Sequence, residues 1–452
     1  MSDMTVSAPM TARNGHTSLL EPDTLLKKRR RNEAWFKALG LGAVLTGLLF
    51  LVILLGSIIY NGLPAFTQTY VTIPVALPEA TLDKTGNRNA SEMRKVSTFG
   101  YKPLIEKGLV DALAANGIQT SFEDSGDLAD LLSDGAASHV RDQVLSNPDL
   151  VGKTVEFDLL ASSRVDGYFK GRVDRASVER GMVLTPEHLD IADSLEERGM
   201  VERKFNLDFI TGSDASDNRP EEAGVGVSLL GSLFMILVVI VLAVPIGVGA
   251  AIYLEEFAPQ NKFTDLIEVN ISNLAAVPSI VFGILGLAAF IQFANLPQSA
   301  PLVGGLVLTL MSLPQIIIPA RAALKAVPPS IRQAALGIGA SRNQMVFQHV
   351  LPLAMPGILT GVIISLAQAL GETAPLLLIG MVGYIASNYP DGFLDGFVSP
   401  NSALPAQIYE WSKRADPAFY ERAWGGIIVL LVFMLTINIL AVILRRRFER
   451  RW

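Results

Sequence analysis

Long runs without a charged residue are the feature that most constrains this chain. Residues 38–78 carry no charge, and the apolar part of this run, 41–60, is long enough to cross about 30 Å of hydrocarbon. The uncharged run between Glu268 and Arg321 would be about 78 Å long as a helix, so the polar, proline-containing segment 295–301 is expected to divide it into two spans. Six spans are predicted in this way, at 36–60, 223–254, 269–294, 302–320, 353–385 and 423–444.

The residue types that are missing exclude several classes of function. The 452 residues include no cysteine, which excludes a disulfide framework, a thiolate metal site and a cysteine nucleophile. The four histidines are scattered along the chain, so a histidine-built metal centre is not expected. No G-x-x-x-x-G-K-[ST] sequence is present, so any ATP that drives this protein is expected to be bound by a partner chain.

Basic residues near the ends of the spans predict the orientation in the membrane. Lysines and arginines cluster in 27–37, in the loop 321–342 and in 445–451, and such clusters remain on the cytoplasmic side. With six spans, the three clusters lie on one side, so both termini are expected in the cytoplasm. The polar residues 1–35 are expected to be a disordered tail, followed by an uncleaved anchor rather than a signal peptide. The loop 255–268 is acidic, and acidic residues have little weight in this rule.

The segment 61–224 is expected to form a soluble domain outside the membrane. It carries 17 basic and 28 acidic residues, a net charge of −11, and it is long enough to hold a core of its own. The mixed periodicity favours a small α+β domain that acts as a docking surface or a spacer. The predicted elements are a helix at 128–145, strands at 154–162 and 165–173, and a second helix at 184–200.

A basic loop between the fourth and fifth spans, 322–352, has the pattern of a helix, a turn and a second helix. Two prolines open a helical segment at 330–335, two glycines permit a tight reversal, and another helix is expected to begin near Ser341. Arg332 and Arg342 could meet acidic groups or carbonyl oxygens of a partner. The residues alone leave open an ordinary basic loop that only sets the topology.

The same loop resembles the EAA signature of permease subunits of ATP-binding-cassette (ABC) importers. That signature reads Glu-Ala-Ala, three residues, Gly, nine residues and Ile-x-Leu-Pro. This chain has the same order and spacing, with Gln333 in place of the glutamate and His349 in place of the isoleucine. The resemblance implies a type I importer permease fold in which the short helix docks in a cleft of an ATPase. By this resemblance, coupling to the ATPase is expected to involve Gln333, Ala334, Ala335, Gly339, Leu351 and Pro352.

A carboxylate within the predicted fifth span marks a second candidate site. The sequence GETAP at 371–375 places Glu372 among apolar residues, where a charge costs roughly 2.5–3.5 kcal/mol at the centre of a bilayer. Glu372 is therefore expected to face the bundle interior or a cavity, on a substrate pathway that includes Thr373 and Gln368. A glutamate that only forms a hydrogen bond between helices is the alternative. No residue of the chain is expected to be catalytic or to bind a metal.

Several separated segments, in order along 225–452, resemble phosphate permeases of the PstA type. They are IGVGAAIYLEEFAP, NLAAVPSIVFGILGL, the loop sequence ending in RQAALGIGAS, and A-x-x-x-GETAPLL. Segment 61–224 resembles the N-terminal extension of longer members of that family. Short members usually have arginines at the positions of Gln368 and Ile318, and a guanidinium is the natural partner of phosphate oxygens. Without them, the anion could be bound by a sister permease or by backbone N–H groups, or the ligand could be another oxyanion.

The residues and the resemblance together predict an all-α polytopic membrane protein with an inserted α+β extracytoplasmic domain. Its expected divisions are a tail 1–35, a first membrane helix 36–60, the outside domain 61–224 and the permease domain 225–452. The resemblance implies a non-enzymatic permease subunit for inorganic phosphate in a bacterial inner membrane. The expected partners are a sister permease, an ATPase dimer that binds ATP and Mg, a phosphate-binding protein and the lipid bilayer, with no nucleic acid. A membrane sensor with 61–224 as its receptor is the rival hypothesis.

Overall fold

The computed structural model describes residues 24–122, 124–178, 184–381 and 389–448. Helix α1 (Thr24–Gly62) has 39 residues, or about 58 Å at 1.5 Å per residue, which exceeds what a bilayer requires. It begins before residue 36, where the first span was expected, so the end of the expected tail 1–35 is helical. Residues 1–23 lie outside the described part of the chain. Residues 58–452 form one compact unit.

Residues 63–211 contain a three-stranded sheet covered by short helices. The sheet consists of β1 (Thr67–Ala76), β2 (Thr154–Leu160) and β3 (Val201–Phe205), with β1 in the centre and antiparallel to both neighbours. Alternate side chains of β1 are buried because successive residues of a strand face opposite sides. The helices are α2 (Glu79–Leu82), α3 (Ala90–Met93), α4 (Thr98–Ala115), α5 (Ser125–Ala129), α6 (Ala136–Ser146), α7 (Ser163–Phe169), α8 (Arg175–Val178), α9 (Pro186–Glu197) and α10 (Leu207–Thr211). Single 3-10 turns lie at Leu63–Phe66, Pro148–Leu150 and Pro220–Glu222.

Two of the four elements predicted in this region are confirmed. The strand at 154–162 is β2, and the helix at 184–200 is α9, where Thr185 and His188 form a capping box. The helix at 128–145 is interrupted, because the N–H of Ser133 bonds to Leu160 O of β2 and separates α5 from α6. The prediction of a strand at 165–173 is wrong.

Helix α7 occupies most of that wrongly predicted strand. The sequence Val-Asp-Gly-Tyr-Phe-Lys fits either periodicity locally, but β2 pairs with β1, 78 to 90 residues earlier, and needs no hairpin partner. The helical spacing brings Lys170 Nζ within 2.7 Å of Asp166 Oδ2, an i,i+4 ion pair that is almost fully buried. Tertiary contacts therefore decide the conformation of this segment.

The remaining helices include long apolar ones and several short ones. They are α11 (Gly226–Ile252), α12 (Lys262–Ala275), α13 (Ser279–Gly286), α14 (Pro301–Lys325), α15 (Pro329–Gly337), α16 (Arg342–Gln344), α17 (Leu351–Gly371), α18 (Ala374–Leu378), α19 (Asp395–Val398), α20 (Leu404–Trp411) and α21 (Pro417–Phe448). Stretches of π-helix continue three of these helices or precede them, at Tyr253–Phe257, Leu287–Phe293 and Met345–Val350. In the described part of the chain, five helical segments are long and apolar enough to cross a membrane: Lys27–Phe66, Gly226–Phe257, Pro301–Lys325, Arg342–Gly371 and Pro417–Arg447.

The third and fifth predicted spans differ from single straight helices. The third is a pair, α12 and α13, bent by 101° at a break that ends with Pro278, the N-cap of α13. It can be counted as a broken span or as a re-entrant loop. The fifth was predicted to run to residue 385, but α17 ends at Gly371 and Glu372 adopts an extended conformation. Residues 382–388 lie outside the described part of the chain.

Helices α11 and α14 form the centre of the membrane bundle. A Cβ on Gly305 would lie 2.5 Å from Cβ of Val238, and one on Gly247 would lie 2.8 Å from Cγ2 of Ile316. These two pairs show that the helices run in the same direction and that glycine permits their close approach. Helix α17 also packs on α14, where a Cβ on Gly361 would lie 2.7 Å from Cγ of Pro319.

Candidate coupling site and domain junction

Helix α15 is a short amphipathic helix with one buried edge. It begins at Pro329, which is well tolerated in a first turn because the N–H it lacks would have no helical partner. Ala335 is buried, whereas Gln333 and Ala334 are exposed. The apolar side chains of Leu336 and Ile338 are also exposed, by 49% and 82%. The predicted coupling residues thus divide into an outward pair and an inward anchor, Ala335, which packs with Met345, Val346 and Val350.

Gly339 ends α15 in a left-handed turn. Its φ is +90°, a conformation that glycine adopts without the clash that a Cβ produces. The N–H of Ala340 donates to Ala335 O at 3.1 Å and that of Gly339 to Leu336 O at 3.0 Å, which is a Schellman motif. Ser341 then caps α16 with Gln344 in a capping box, so the predicted turn and second helix are confirmed.

Arg332 holds α15 against the rest of its own chain. Its Nη2 donates to Oε1 of Glu256 at 2.6 Å, and Glu256 is only 5% exposed. Nη1 and Nη2 also donate to the carbonyl oxygens of Val327 and Leu324, at the C-terminal end of α14, where a cation is favoured. The expectation that Arg332 would meet acidic groups of a partner is therefore wrong, because those groups lie within the chain.

A second arginine joins the neighbouring helices in the same region. Nη2 of Arg321 in α14 lies 2.7 Å from Oε1 of Glu268 in α12 and 3.4 Å from Oε2 of Glu255. The acidic loop 255–268, which says little about topology, thus supplies the carboxylates for both arginines. The sequence did offer one signal for these ion pairs. The Leu-Glu-Glu-Phe sequence at 254–257 places two adjacent acidic residues at the end of an apolar span, where buried carboxylates need partners.

The start of α17 completes the coupling segment. Leu351 and Pro352 are half-buried at the first two positions of α17, directly after the π-helical stretch Met345–Val350. The guanidinium of Arg342 lies 5.6 Å from the ring centre of Phe257, a cation–π contact rather than a contact reserved for a partner. The ion pair of Arg332 is therefore the main link between the 322–352 loop and the end of α11, and the stacking of Arg342 is a weaker second contact.

The predicted pathway residues lie at the far end of α17. Glu372 and Thr373 occupy the break between α17 and α18 and are half-buried, and Gln368 is exposed on the last turn of α17. Helix α18 packs closely on α13, where a Cβ on Gly283 would lie 2.7 Å from Cα of Pro375. The break gives Glu372 an extended backbone and separates it from the helix that was expected to contain it.

One hydrogen bond shows how far Glu372 lies from the basic end of α21. Nη1 of Arg445, within the basic end of α21, donates to Oγ1 of Thr360 at 3.2 Å. Glu372 follows Thr360 by twelve residues, about 18 Å along a helix. This spacing puts the carboxylate of Glu372 well away from the basic end of α21 and from the loop 322–352.

A buried ionic cluster joins the β-sheet region to the start of α21. Nζ of Lys170 lies 2.7 Å from Oδ2 of Asp166 and 2.9 Å from Oε1 of Glu421, and all three side chains are at most 4% exposed. Nε of Arg172 lies 2.5 Å from Oε2 of Glu421. The other oxygen of Asp166 accepts hydrogen bonds from the N–H and hydroxyl of Thr69 in β1.

Arg422 extends this junction with hydrogen bonds that sequence reasoning did not predict. It is 2% exposed, and its guanidinium donates to Ala65 O at 3.0 Å, to Oε1 of Gln68 and to Glu221 O at 2.9 Å. It also stacks over the ring of Phe209. One charged side chain of a membrane helix thereby binds three separate segments of the preceding region, which favours a rigid junction.

Glu221 is a buried acid at the edge of the same junction. Its side chain accepts a hydrogen bond from the hydroxyl of Ser133, and Glu222 lies beside it, paired with Arg219 at 3.1 Å. Burial raises the pKa of Glu221 to about 7, although the hydrogen bond from Ser133 lowers it. Burial is also the largest cause that raises the pKa of Glu222.

Two family models match separate parts of the chain. Residues 243–452 match the family described as "Binding-protein-dependent transport system inner membrane component". Residues 23–179, which contain α1, β1 and β2, match the domain of unknown function DUF3333. The inward-facing MetNI methionine ABC transporter aligns with 49% of this chain and 95% of its own at 17% identity, with a TM-score of 0.38.

Curated relatives cover the membrane part. The chain is 34% identical over 234 residues to "Phosphate transport system permease protein PstA 1" of Mycobacterium tuberculosis, which covers 51% of this chain and 74% of that protein. It is 30% identical over 224 residues to "Phosphate transport system permease protein PstA" of Yersinia pestis, covering 49% of this chain and 73% of that protein. The chain therefore belongs to the PstA family of phosphate transport system permease proteins.

Proposed function

We propose that this chain is the permease subunit of an ABC importer that moves inorganic phosphate across the bacterial cytoplasmic membrane. The observation that carries the proposal is the 34% identity to a phosphate transport system permease over three quarters of that protein's length. Transport is driven by ATP hydrolysis in a partner subunit, which binds ATP and Mg. This chain itself breaks no covalent bond.

The proposed architecture is a type I importer permease with six spans, of which the bent pair α12 and α13 counts as one. The basic clusters then put both termini in the cytoplasm and residues 61–224 outside. The partners are a sister phosphate permease, a dimer of ATPase subunits and an extracytoplasmic phosphate-binding protein. The division into 1–35, 36–60, 61–224 and 225–452 follows this topology.

Coupling is proposed to occur through the exposed face of α15. Gln333 and Ala334, with the exposed apolar Leu336 and Ile338, enter a cleft of the ATPase, where burial of apolar surface stabilises the contact. The ion pair between Arg332 and Glu256 passes movement of α15 to the end of α11. Ala335, Gly339, Leu351 and Pro352 set the position of α15 relative to α17.

The pathway is proposed to pass Glu372, Thr373 and Gln368. A charged carboxylate repels an anion, so Glu372 acts either in its protonated form or by orienting a neighbouring cation. The anion itself is bound by backbone N–H groups or by the sister permease. Gln368 and Ile318 stand where short relatives carry arginine. That departure makes another oxyanion the second candidate substrate.

Uptake of radiolabelled phosphate tests this proposal. Cells that lack the chain are compared before and after its restoration, with sulfate, molybdate and arsenate as competitors. Restored uptake that only arsenate blocks supports a phosphate permease. Competition by sulfate or molybdate would indicate that the substrate is another oxyanion. Failure to restore any uptake would contradict the proposal.

A further inference from the structure

Residues 205–209, which join β3 to α10, lie among the ends of three membrane helices. Phe205 pairs with Thr67, which follows the end of α1 by five residues. A Cβ on Gly425 of α21 would lie 2.8 Å from Cζ of Phe209. At the other end of α10, a Cβ on Gly226, the first residue of α11, would lie 2.5 Å from the carbonyl oxygen of Thr211.

Several apolar side chains near these helix ends are exposed, although much of the surface of the β-sheet region is polar. Phe205 is 63% exposed, Leu207 is 59% exposed, and Leu63, just after α1, is 56% exposed. Arg203 is exposed two residues before Phe205 and therefore points to the same side of β3. Aromatic and apolar side chains beside a cation are typical of a surface that rests at the boundary of a bilayer.

We propose that the surface formed by Leu63, Arg203, Phe205 and Leu207, here called the lipid-contact face, rests on the bilayer. The apolar side chains enter the boundary between headgroups and acyl chains, and the guanidinium of Arg203 binds lipid phosphate. The occupant is lipid because the face adjoins the starts of α11 and α21, two helices that are long and apolar enough to cross a membrane. Together with the buried junction around Glu421, this contact fixes the orientation of the β-sheet region relative to the membrane.

Single cysteines test the lipid-contact face directly, because the sequence contains no native cysteine. Phe205→Cys and Leu207→Cys are spin-labelled in the full chain, purified with its partners in lipid nanodiscs. Phe99→Cys is the matched control, since Phe99 is 82% exposed and lies near the start of α4. Helix α4 lies at the other end of β1: Leu104, later in α4, lines a pocket together with Ala76. Ala76 is about 30 Å along β1 from Thr67, which pairs with Phe205, so α4 lies far from the lipid-contact face.

The readout is the accessibility of each label to oxygen, which concentrates in lipid, and to a nickel chelate, which remains in water. We expect the ratio of oxygen to nickel accessibility at 205 and 207 to exceed that at 99 at least threefold. A ratio equal to that at 99 would overturn the proposal. Exclusion of both reagents would overturn it as well, because it would indicate burial against a protein partner. Thermal unfolding of each variant verifies that the labelled proteins are folded.

Discussion

Arg332 donates a 2.6 Å hydrogen bond to Glu256, which lies 76 residues earlier in the chain. The pair connects the exposed helix α15 with the end of α11, one of the two helices at the centre of the bundle. Glu256 is almost fully buried, and a buried carboxylate needs a partner of this kind to offset the cost of its removal from water. Arg332 also donates to the carbonyl oxygens of Val327 and Leu324, so the same side chain links α15 to the end of α14.

Replacing Arg332 with Met leaves the buried carboxylate of Glu256 without a partner. We expect a loss of about 3–5 kcal/mol in the free energy of unfolding and at least a tenfold fall in uptake. Arg342→Met is the matched control, because Arg342 only stacks on Phe257. Thermal unfolding and phosphate uptake are measured for both variants. The double variant Arg332→Met/Glu256→Leu should recover most of the stability, and no recovery would show that the ion pair is not the cause.

Gly339→Asp should uncouple ATP hydrolysis from transport. A side chain at φ +90° strains the backbone by about 1–2 kcal/mol and disturbs the turn after α15. Gly337→Asp provides the control, since Gly337 is exposed in the same helix and has open space at its Cβ position. ATP hydrolysis and uptake are measured together in the assembled transporter. Equal loss of uptake in both variants would attribute the effect to the added charge rather than to the turn.

Glu372→Gln should impair transport while assembly survives. The change removes the carboxyl group from the break between α17 and α18 but keeps the size of the side chain and its ability to form hydrogen bonds. Uptake is expected to fall at least tenfold, and co-purification with the partner subunits should be unchanged. Uptake equal to that of the original protein would reduce Glu372 to a structural role.

The raised pKa of Glu221 makes the stability of the protein depend on pH. A carboxyl whose pKa is about 7 when folded and 4.5 when unfolded binds more protons in the folded state between these values. Its stabilising contribution is complete below pH 4.5 and is lost as the pH rises through 7. Glu221→Gln should therefore be more stable than the original protein at pH 8–9, by up to about 3 kcal/mol, with no such gain near pH 5.

Thermal unfolding between pH 5 and 9 measures this difference. Asp158→Asn is a control of opposite sign, because the hydrogen bond from Lys204 lowers the pKa of Asp158. Loss of that carboxylate should destabilise the protein at neutral pH and matter less in acid. A difference between Glu221→Gln and the original protein that does not change with pH would contradict the assignment.

Lys170→Met tests the ionic junction between the β-sheet region and α21. Removing this cation takes an ion-pair partner from both buried carboxylates, Asp166 and Glu421, with an expected loss of about 3–5 kcal/mol. Lys204→Met breaks a pair with Asp158 that is partly exposed, and should cost at most about 1 kcal/mol. The two losses are compared by thermal unfolding. Similar losses would indicate that the buried cluster does not fix the junction.

The elements that local chemistry determines were predictable from the sequence. Charge-free runs located the apolar segments, and the prolines before α15, the glycine at 339 and the Ser341 cap located the helix–turn–helix of the coupling loop. Strand β2 and helix α9 were also recognised from their own residues. Each of these depends on neighbours within a few positions.

The features that depend on distant partners were not predictable in this way. A strand was predicted in place of helix α7. Lys170, at the C-terminal end of α7, bonds to Glu421, which lies about 250 residues later in the chain. The partners of Arg332 and Arg321 in the acidic segment were missed for the same reason, since nothing local distinguishes a carboxylate that awaits an arginine from a solvated one. The packing of α13 against α18 was missed as well, because Gly283 and Pro375 are separated by 92 residues in the chain.

ATP-driven phosphate accumulation by the purified complex tests the central claim most directly. The chain, its sister permease, the ATPase and the phosphate-binding protein are reconstituted in proteoliposomes, with ADP formation and uptake of radiolabelled phosphate measured in the same sample. We predict accumulation that requires both ATP and this chain and that falls at least tenfold in Arg332→Met, whereas Arg342→Met resembles the original complex. Hydrolysis of ATP without phosphate accumulation in the original complex would contradict the account.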